Sequence, residues 1–198
     1  MPAALVLALA ALLAPAASKD WTSLFDGKTL NGWETAGKAR WVVEDGAIVG
    51  RQGEGGAAGD LFTTKLYDSF EAEAGWSMTW PGNSGLWFKY QGPGTGCQAD
   101  ILDEPAEPGI LSGSIYCMGK QFIAENRDPS SVHKSGWNLL RLRVRNDRVQ
   151  VWMNGKLVAA ATADVFPGPG KLGFQVHPGK QFEAMEIRVR NIRIRRLQ

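Results

Sequence analysis

The sequence has little net charge, few cysteines and no long hydrophobic run, and each shortage excludes a class of protein. Its 198 residues carry 22 Lys and Arg against 20 Asp and Glu, whereas a nucleic-acid-binding protein needs a large basic excess. The 24 Gly and 10 Pro stay below the roughly 25–30% that marks a disordered low-complexity chain. No apolar stretch reaches the about 20 residues that span a bilayer. A single globular domain fits this composition.

The N-terminal segment is apolar and uncharged. Met1 to Ser18 contain no charged side chain, and every residue from Ala3 to Ala14 is Ala, Leu or Val. This pattern, followed by Ala14-Pro15-Ala16 or Ala16-Ala17-Ser18 as the small-residue cleavage site, is typical of a secretory signal. We therefore expect residues 1–18 to direct export to the periplasm or beyond, and residues 19–198 to form one domain. The alternative is an uncleaved N-terminal anchor.

Alternation of apolar and polar residues dominates the rest of the chain, and helical periodicity is nearly absent. Residues 140–158 alternate through two turn signals, Asn146-Asp147 and Asn154-Gly155, and this predicts a three-strand meander. Near the C-terminus the alternation changes phase at Arg190-Asn191, which predicts a bulge or bend. About ten short strands in this pattern predict an all-β, two-sheet antiparallel sandwich or jelly roll.

Strand alternation also sorts the side chains into core-facing and outward-facing sets. The outward set combines aromatic, amide, acidic and basic groups: Trp87, Lys89, Gln98, Asp100, Tyr116, Gln175 and His177. Such a face is either an ordinary solvated surface or a sugar-binding groove, where aromatic rings stack on pyranoses and amides or carboxylates bind hydroxyls. The alternation alone leaves both interpretations open.

The two cysteines, Cys97 and Cys117, fall on core-facing sides of two predicted strands. They would meet across an antiparallel pair centred near Glu107. One disulfide and two separate buried thiols both fit this placement.

A set of motifs resembles the 3-keto-disaccharide hydrolase domain family, formerly domain of unknown function 1080. The motifs occur in family order from about Trp21 to Leu197. They are residues 23–28, 30–33, 41–46, 83–89, 98–103, 137–138, 151–155, 173–177 and 189–194. The resemblance implies a concanavalin A-like, glucanase-like β-sandwich that acts on sugars whose C3 hydroxyl has been oxidised to a ketone. It also implies a sugar 3-oxidoreductase acting upstream.

Three positions in two motifs depart from the family pattern. The usual Glu-x-Gln-Ile-Leu-Asp stretch is Gln98-Ala99-Asp100-Ile101-Leu102-Asp103, with acid and amide exchanged, and the usual Arg is Lys89. A retaining glycosidase needs two carboxylates about 5–5.5 Å apart. Gln98 replaces the first acid of the related glucanases, so an ordinary glycanase mechanism is not expected.

A 3-keto sugar, as the resemblance implies, permits elimination instead, because the ketone acidifies the C2 proton. This chemistry needs a base and a group that stabilises the enolate oxygen. We predict His177 as the base, with Asp100 as the rival base or the carboxylate that orients His177. Lys89 or a divalent metal would stabilise the oxyanion.

The remaining candidates would bind the substrate. Trp87 and Tyr116 would stack on sugar rings, and Gln98 and Gln175 would bind hydroxyls or complete a metal's oxygen shell. Asp103 is also predicted to bind the substrate. The sequence therefore predicts an exported enzyme that cleaves 3-keto-glycosides. The alternative is a noncatalytic carbohydrate-binding module with the same fold.

Overall fold

The computed structural model describes residues 21–103, 109–162 and 166–197, and its strands form two antiparallel sheets packed face to face. This confirms the predicted all-β sandwich, while the predicted export signal at residues 1–18 lies outside the described residues. The strands are β1 (Thr22–Ser23), β2 (Trp33–Gly37), β3 (Arg40–Glu44), β4 (Ala47–Arg51), β5 (Gly59–Thr63), β6 (Phe70–Met78), β7 (Gly82–Tyr90), β8 (Cys97–Asp103), β9 (Leu111–Cys117), β10 (Gln121–Asn126), β11 (Asn138–Arg145), β12 (Arg148–Met153), β13 (Lys156–Thr162), β14 (Lys171–Val176) and β15 (Glu186–Arg196).

The two sheets interleave strands from the whole length of the chain. Sheet A has the order β13-β12-β11-β6-β15-β4-β3, with β1 paired to β15, and sheet B has the order β10-β9-β8-β7-β14-β5-β2. Helical structure in the described part of the chain is limited to three 3₁₀ turns, Glu54–Gly56, Pro129–Ser131 and Lys180–Phe182. None of the helices described has the length and apolar composition needed to cross a membrane.

The core lies between the sheets and is built from alternate residues of each strand. Leu140, Leu142 and Val144 of β11 are fully or almost fully buried, as are Phe88 of β7 and Ile101 of β8. Burial of these apolar side chains is the main force that holds the sheets together. The other set of alternate residues is thereby directed to the two outer faces.

The predicted meander and bulge are both confirmed. β11 pairs with β12 from Leu140↔Met153 to Arg145↔Arg148, and β12 pairs in turn with β13. β15 loses register with β6 between Arg190 and Arg193, and Asn191 adopts a left-handed φ of 52°. Asn tolerates this conformation better than most residues, which explains its place at the bulge.

Cys97 and Cys117 form a disulfide between β8 and β9. The two residues stand directly opposite each other in the strand register, with Cα atoms 4.0 Å apart, and both are fully buried. The alternative that the sequence left open, two separate thiols, is therefore excluded.

Candidate carbohydrate groove

A groove of about 550 Å³ runs over the outer face of sheet B. Alternation places seven residues in the outward-facing set, and six of them line this groove. The complete lining is Asp60, Asn83, Trp87, Tyr90, Pro93, Gly94, Thr95, Gln98, Asp100, Leu102, Tyr116, Met118, Phe122, Gln175 and His177. Aromatic and hydrogen-bonding groups thus converge in one concave site, as binding sites for polar ligands require.

Strand register explains how distant residues meet in the groove. Trp87 stands opposite Gln98, and Gln98 stands opposite Tyr116, so three strands contribute one row of side chains. Asp60 stands opposite Gln175 across β5 and β14 and belongs to a second row. Side chains directly opposite each other in antiparallel strands lie on the same face and within contact distance.

Two glycines keep the floor of the groove low. A Cβ at Gly85 would lie 2.8 Å from the Gln98 amide, and a Cβ at Gly173 would lie 2.3 Å from Cδ1 of Phe62. A side chain at Gly85 would displace the Gln98 amide from the groove, and one at Gly173 would also meet the Leu61 carbonyl oxygen at 2.6 Å. The Gln98 amide thus covers Gly85, and the Phe62 ring covers Gly173 beside the groove.

A hydrogen-bonded network connects the buried polar groups of the floor. In the amide orientation that satisfies both neighbours, Gln98 donates to Asp100 Oδ1 at 2.7 Å and accepts from Trp87 Nε1 at 2.9 Å. The Trp87 indole has one N–H, which is shared between Gln98 and Asp60 Oδ1, the latter at 2.8 Å. Because Trp87, Gln98 and Asp100 are all buried, these bonds fix their side chains in place.

Asp60 is an acidic residue of the groove, and its carboxyl is half-buried. Burial raises the pKa of its carboxyl, while the Trp87 hydrogen bond and, whenever the imidazole is protonated, the positive charge of nearby His177 lower it without cancelling the effect. A raised carboxyl pKa brings proton exchange closer to neutral pH, where a general acid or base is most effective. Asp60 and His177 thus form a pair of titratable groups in one groove.

His177 is held in a defined orientation. Its Nδ1 lies 2.7 Å from the Pro178 carbonyl oxygen, which can only accept, so the neutral ring carries its proton on Nδ1. The edge of the ring packs against Phe182 at a centroid distance of 5.5 Å. The Nε2 atom is therefore the unprotonated nitrogen and has the lone pair that a base needs.

Gln52 supports the turn that follows His177. Its Nε2 donates to the carbonyl oxygens of His177 and Gly179, each at 2.9 Å. The donor is a side chain from the end of β4, so the turn is tied to the opposite sheet. This contact acts on the backbone of His177 and does not involve its ring.

Aromatic rings form the walls of the groove. Tyr90 stacks on Phe62 with centroids 4.0 Å apart, and Tyr116 meets Phe122 edge-on at 5.6 Å. Tyr90 also lies 6.0 Å from Trp87. Phe62 and Trp87 are buried, whereas Tyr90, Tyr116 and Phe122 are partly exposed and are suited to stacking on the apolar faces of sugars.

The structure places Lys89 away from the groove. Phe88 and Lys89 together stand opposite Leu172 in a β-bulge, and Lys89 adopts a left-handed φ of 56°. Its buried side chain contacts Asp68 and donates to the Gly168 carbonyl oxygen at 2.7 Å. The bulge reverses the alternation, so that Tyr90 lies in the groove in the place where alternation puts Lys89.

Asp103 also lies away from the groove. It ends β8 and forms an ion pair with Lys134, and it lines a smaller separate cavity together with Trp80. The predicted binding role of Asp103 therefore has no geometric support.

Sequence reasoning missed Asp60, Tyr90 and Gln52. In β5 the apolar Phe62 shares a face with Asp60, so the strand lacks the clean alternation that marks a groove-facing acid. Tyr90 lies beyond a bulge that leaves no sequence pattern. Gln52 lies in a glycine-rich stretch that predicts only a loop.

The described residues contain no group of three or more His, Cys, Asp or Glu side chains arranged to hold a metal ion. Gln98, Gln175 and Asp100 supply oxygen atoms in the groove, but Gln98 and Asp100 already bond to each other.

One sequence relative and several solved structures are similar to this chain. A Bacteroides thetaiotaomicron protein named 3-keto-disaccharide hydrolase is 36% identical over 86 residues, which is 39% of this chain and 30% of that protein. The matched region thus covers less than a third of the length of that relative.

Two solved structures share the fold. A protein from Parabacteroides distasonis ATCC 8503, provisionally named a glycosyl hydrolase, has a TM-score of 0.68 at 23% identity, covering 90% of this chain and 94% of its own. A Bacillus subtilis protein of unknown function with a galectin-like fold has a TM-score of 0.69 at 15% identity, covering 84% of this chain and 90% of its own.

The family model described as the 3-keto-alpha-glucoside-1,2-lyase-like domain matches residues 20–195. The match includes every strand of both sheets except the last residue of β15. It confirms the resemblance carried by the ordered motifs. The chain therefore belongs to the 3-keto-alpha-glucoside-1,2-lyase-like domain family.

Proposed function

We propose that this protein cleaves 3-keto-glycosides by removing the proton on C2 and eliminating the substituent on C1. The observation that carries the proposal is the pair formed by His177, whose Nδ1 contacts the Pro178 carbonyl oxygen so that Nε2 is the basic nitrogen of the neutral ring, and the half-buried carboxyl of Asp60 in the same groove. Family membership and the name of the Bacteroides relative supply the substrate class.

The proposed reaction proceeds in three balanced steps. Nε2 of His177 takes the C2 proton, and the electron pair of the C–H bond forms an enolate with the C3 carbonyl. The enolate then expels the C1 substituent, whose oxygen keeps the bonding electrons and takes up a proton. Water finally adds across the C1–C2 double bond, so that the net reaction is hydrolysis.

Asp60 is assigned the proton transfer to the departing oxygen. Burial favours the protonated form of its carboxyl, and a protonated carboxyl is a suitable general acid. The Trp87 indole N–H fixes one of its oxygens. Two titratable groups in different environments can thus serve as base and acid in one site.

Gln175 replaces Lys89 as the group that stabilises the enolate oxygen. It stands opposite Asp60 and lies two residues from His177 on the same strand face. Its amide N–H groups are donors, and donors aimed at a developing negative charge lower the barrier. Gln98 and Asp100 bind hydroxyl groups, and the rings of Tyr90 and Tyr116 contact the sugar faces.

The location and the pathway partner remain part of the proposal. The apolar N-terminal segment supports export to the periplasm or the exterior. A 3-keto sugar must be made by oxidation at C3, so an upstream sugar oxidoreductase would supply the substrate.

The first test follows a 3-keto-glucoside by NMR in D₂O with the purified protein. We expect release of the C1 substituent and deuterium at C2. His177→Gln should lower turnover about 10²–10⁴-fold, and Asp60→Asn should lower it for substrates with poor leaving groups, because each removes one proton transfer. His133→Gln is the matched control, since His133 is exposed and lies outside the groove lining.

Normal turnover by His177→Gln would refute the assignment of the base. If the unsubstituted protein binds glycans but consumes no ketone, with and without divalent metal, the noncatalytic carbohydrate-binding module becomes the better interpretation.

A further inference from the structure

The two sheets carry opposite formal charge, although the whole chain is almost neutral. Eleven of the twelve arginines lie in strands of sheet A, and Arg127 is the exception. The strands of sheet A contain twelve basic residues against four glutamates, a formal charge of +8. The strands of sheet B contain two lysines against five acids, a formal charge of −3.

Most of the arginines project from the outer face of sheet A. In β11 they alternate with the buried Leu140, Leu142 and Val144, so Arg141, Arg143 and Arg145 point away from the core. In β15 the same alternation directs arginines outward on both sides of the bulge. The basic charge is therefore concentrated on one surface opposite the groove.

Internal ion pairs account for only part of this charge. Glu71 and Glu73 of β6 are each bound by arginines of β11 and β15. Arg145 and Arg148, at the β11–β12 turn, are exposed and form no ion pair among the described side chains. Pairing within the face thus leaves a large positive excess available to a partner.

Exposed apolar residues lie beside the arginines at one edge of the same face. Trp152 stands opposite Leu157, which is 47% exposed, and Leu139 on the neighbouring strand is 42% exposed. The guanidinium groups of Arg141 and Arg143 lie over the Trp152 ring at 5.4 and 5.6 Å. Arginine, tryptophan and leucine together are typical of surfaces that contact lipid headgroups and the upper acyl chains.

We propose that the outer face of sheet A docks on an anionic phospholipid bilayer. The guanidinium groups bind lipid phosphates, for which their planar donor arrangement is suited. Leu139, Trp152 and Leu157 insert at the headgroup level. A nucleic acid would also attract the arginines, but it would not explain exposed leucines on the same face.

Docking in this way orients the molecule. The two sheets are the two layers of the sandwich, so the groove on sheet B faces away from the bilayer toward solution. The negative charge of sheet B disfavours the opposite orientation. The proposal rests on the charge distribution and is independent of the activity of the groove.

The test is sedimentation of the protein with vesicles. Vesicles of equal parts phosphatidylcholine and phosphatidylglycerol should bind it, pure phosphatidylcholine vesicles should not, and salt should weaken binding. The double variant Arg145→Ala/Arg148→Ala should lower the partition coefficient about 30-fold, because each basic residue near such a surface contributes about 1 kcal/mol. The charge-matched control is Lys120→Ala/Arg127→Ala, at the two ends of β10 in sheet B.

Three results would overturn the proposal. The first is no binding to the anionic vesicles. The second is an equal loss in the control variant, which would indicate a response to total charge and not to this face. The third is tight binding to a duplex DNA fragment without binding to vesicles, which would assign the face to nucleic acid.

Discussion

At the scale of single residues, the groove depends on side chains that do not line it. Gln52 donates two hydrogen bonds to the backbone carbonyls of His177 and Gly179. Its side chain reaches from the end of β4 in sheet A to the turn after β14 in sheet B. The orientation of the proposed base is therefore set partly by a residue of the other sheet.

We predict that Gln52→Ala lowers turnover of a 3-keto-glucoside at least about tenfold with little change in KM, because small displacements of a catalytic group cost rate more than binding. Steady-state kinetics would measure this effect. NMR of the imidazole nitrogens should also show a mixed His177 tautomer in the variant, since the Pro178 carbonyl is no longer fixed.

The matched control is Gln181→Ala, because Gln181 is exposed on the same turn and donates to neither carbonyl. A purely structural role for Gln52 would lower thermal stability and leave the tautomer of the remaining folded protein unchanged. That outcome would contradict the positioning role.

At the scale of strands, alternation predicts which side chains share a face wherever the strand is regular. Trp87, Gln98, Asp100, Tyr116 and Gln175 could be placed together from the sequence because β7, β8, β9 and β14 keep their period through these residues. The sequence does not predict the depth of the groove, because that depth depends on Gln98 of one strand lying over Gly85 of the neighbouring strand.

Alternation fails where a strand bulges. The two-residue alternation of β7 predicts that the Lys89 side chain points outward. Lys89 instead adopts a left-handed backbone conformation, and its side chain contacts Asp68 and Gly168. Bulges depend on how the neighbouring strand approaches, and Gly170 leaves room for this approach because a Cβ there would lie 2.4 Å from the Lys89 carbonyl carbon. Contacts of this kind involve residues far apart in sequence and leave no local pattern.

Lys89→Ala should therefore affect stability and not catalysis. We predict a loss of about 2 kcal/mol in the free energy of unfolding, because the substitution removes the buried Lys89 ammonium and leaves the Gly168 carbonyl oxygen without its donor. Turnover of a 3-keto-glucoside should stay close to that of the unsubstituted protein. Urea unfolding and steady-state kinetics would measure the two effects.

Lys171→Ala provides the comparison, since Lys171 forms a more exposed ion pair with Glu34 whose loss should cost less than about 1 kcal/mol. A large loss of turnover in Lys89→Ala without a loss of stability would contradict this structural role. It would support the sequence-based prediction that Lys89 stabilises the oxyanion.

At the scale of the whole molecule, the near-zero net charge conceals two faces of opposite sign. Composition averages over the chain and cannot detect this segregation, although the cluster of arginines in β15 is visible in the sequence. Strand order is what joins β11, β12 and β15 into one basic face, because β6 brings the first and last of them to its two sides.

Glu71 holds this basic face together. Its side chain is fully buried under Arg141, Arg143 and Arg195, with Arg195 Nε 2.6 Å from Oε2. Burial raises the pKa of the Glu71 carboxyl, but hydrogen bonds from Arg195 and Arg141 outweigh burial and hold it below the ordinary value. The ionised form is therefore the one that stabilises the fold.

We predict that Glu71→Gln lowers the free energy of unfolding by about 3 kcal/mol at pH 7, because it leaves three guanidinium groups facing one another without their counter-ion. A carboxyl whose pKa is lower in the folded state stabilises above its unfolded pKa of about 4.5 and loses that effect as pH falls through the folded pKa. The difference between the two proteins should thus stay constant above about pH 4.5 and narrow progressively as the pH falls below it. Urea unfolding at both pH values measures it.

Asp45→Asn is the control, because Asp45 pairs with Arg188 but is 92% exposed, so its loss should cost less than about 1 kcal/mol. A loss of unfolding free energy in Glu71→Gln that persists unchanged at low pH would show that charge pairing is not its cause.

The same variant separates stability from docking. Removing the Glu71 charge makes sheet A more positive, so binding to anionic vesicles should be retained while stability falls. Weaker vesicle binding by the folded variant would contradict an electrostatic role for the face.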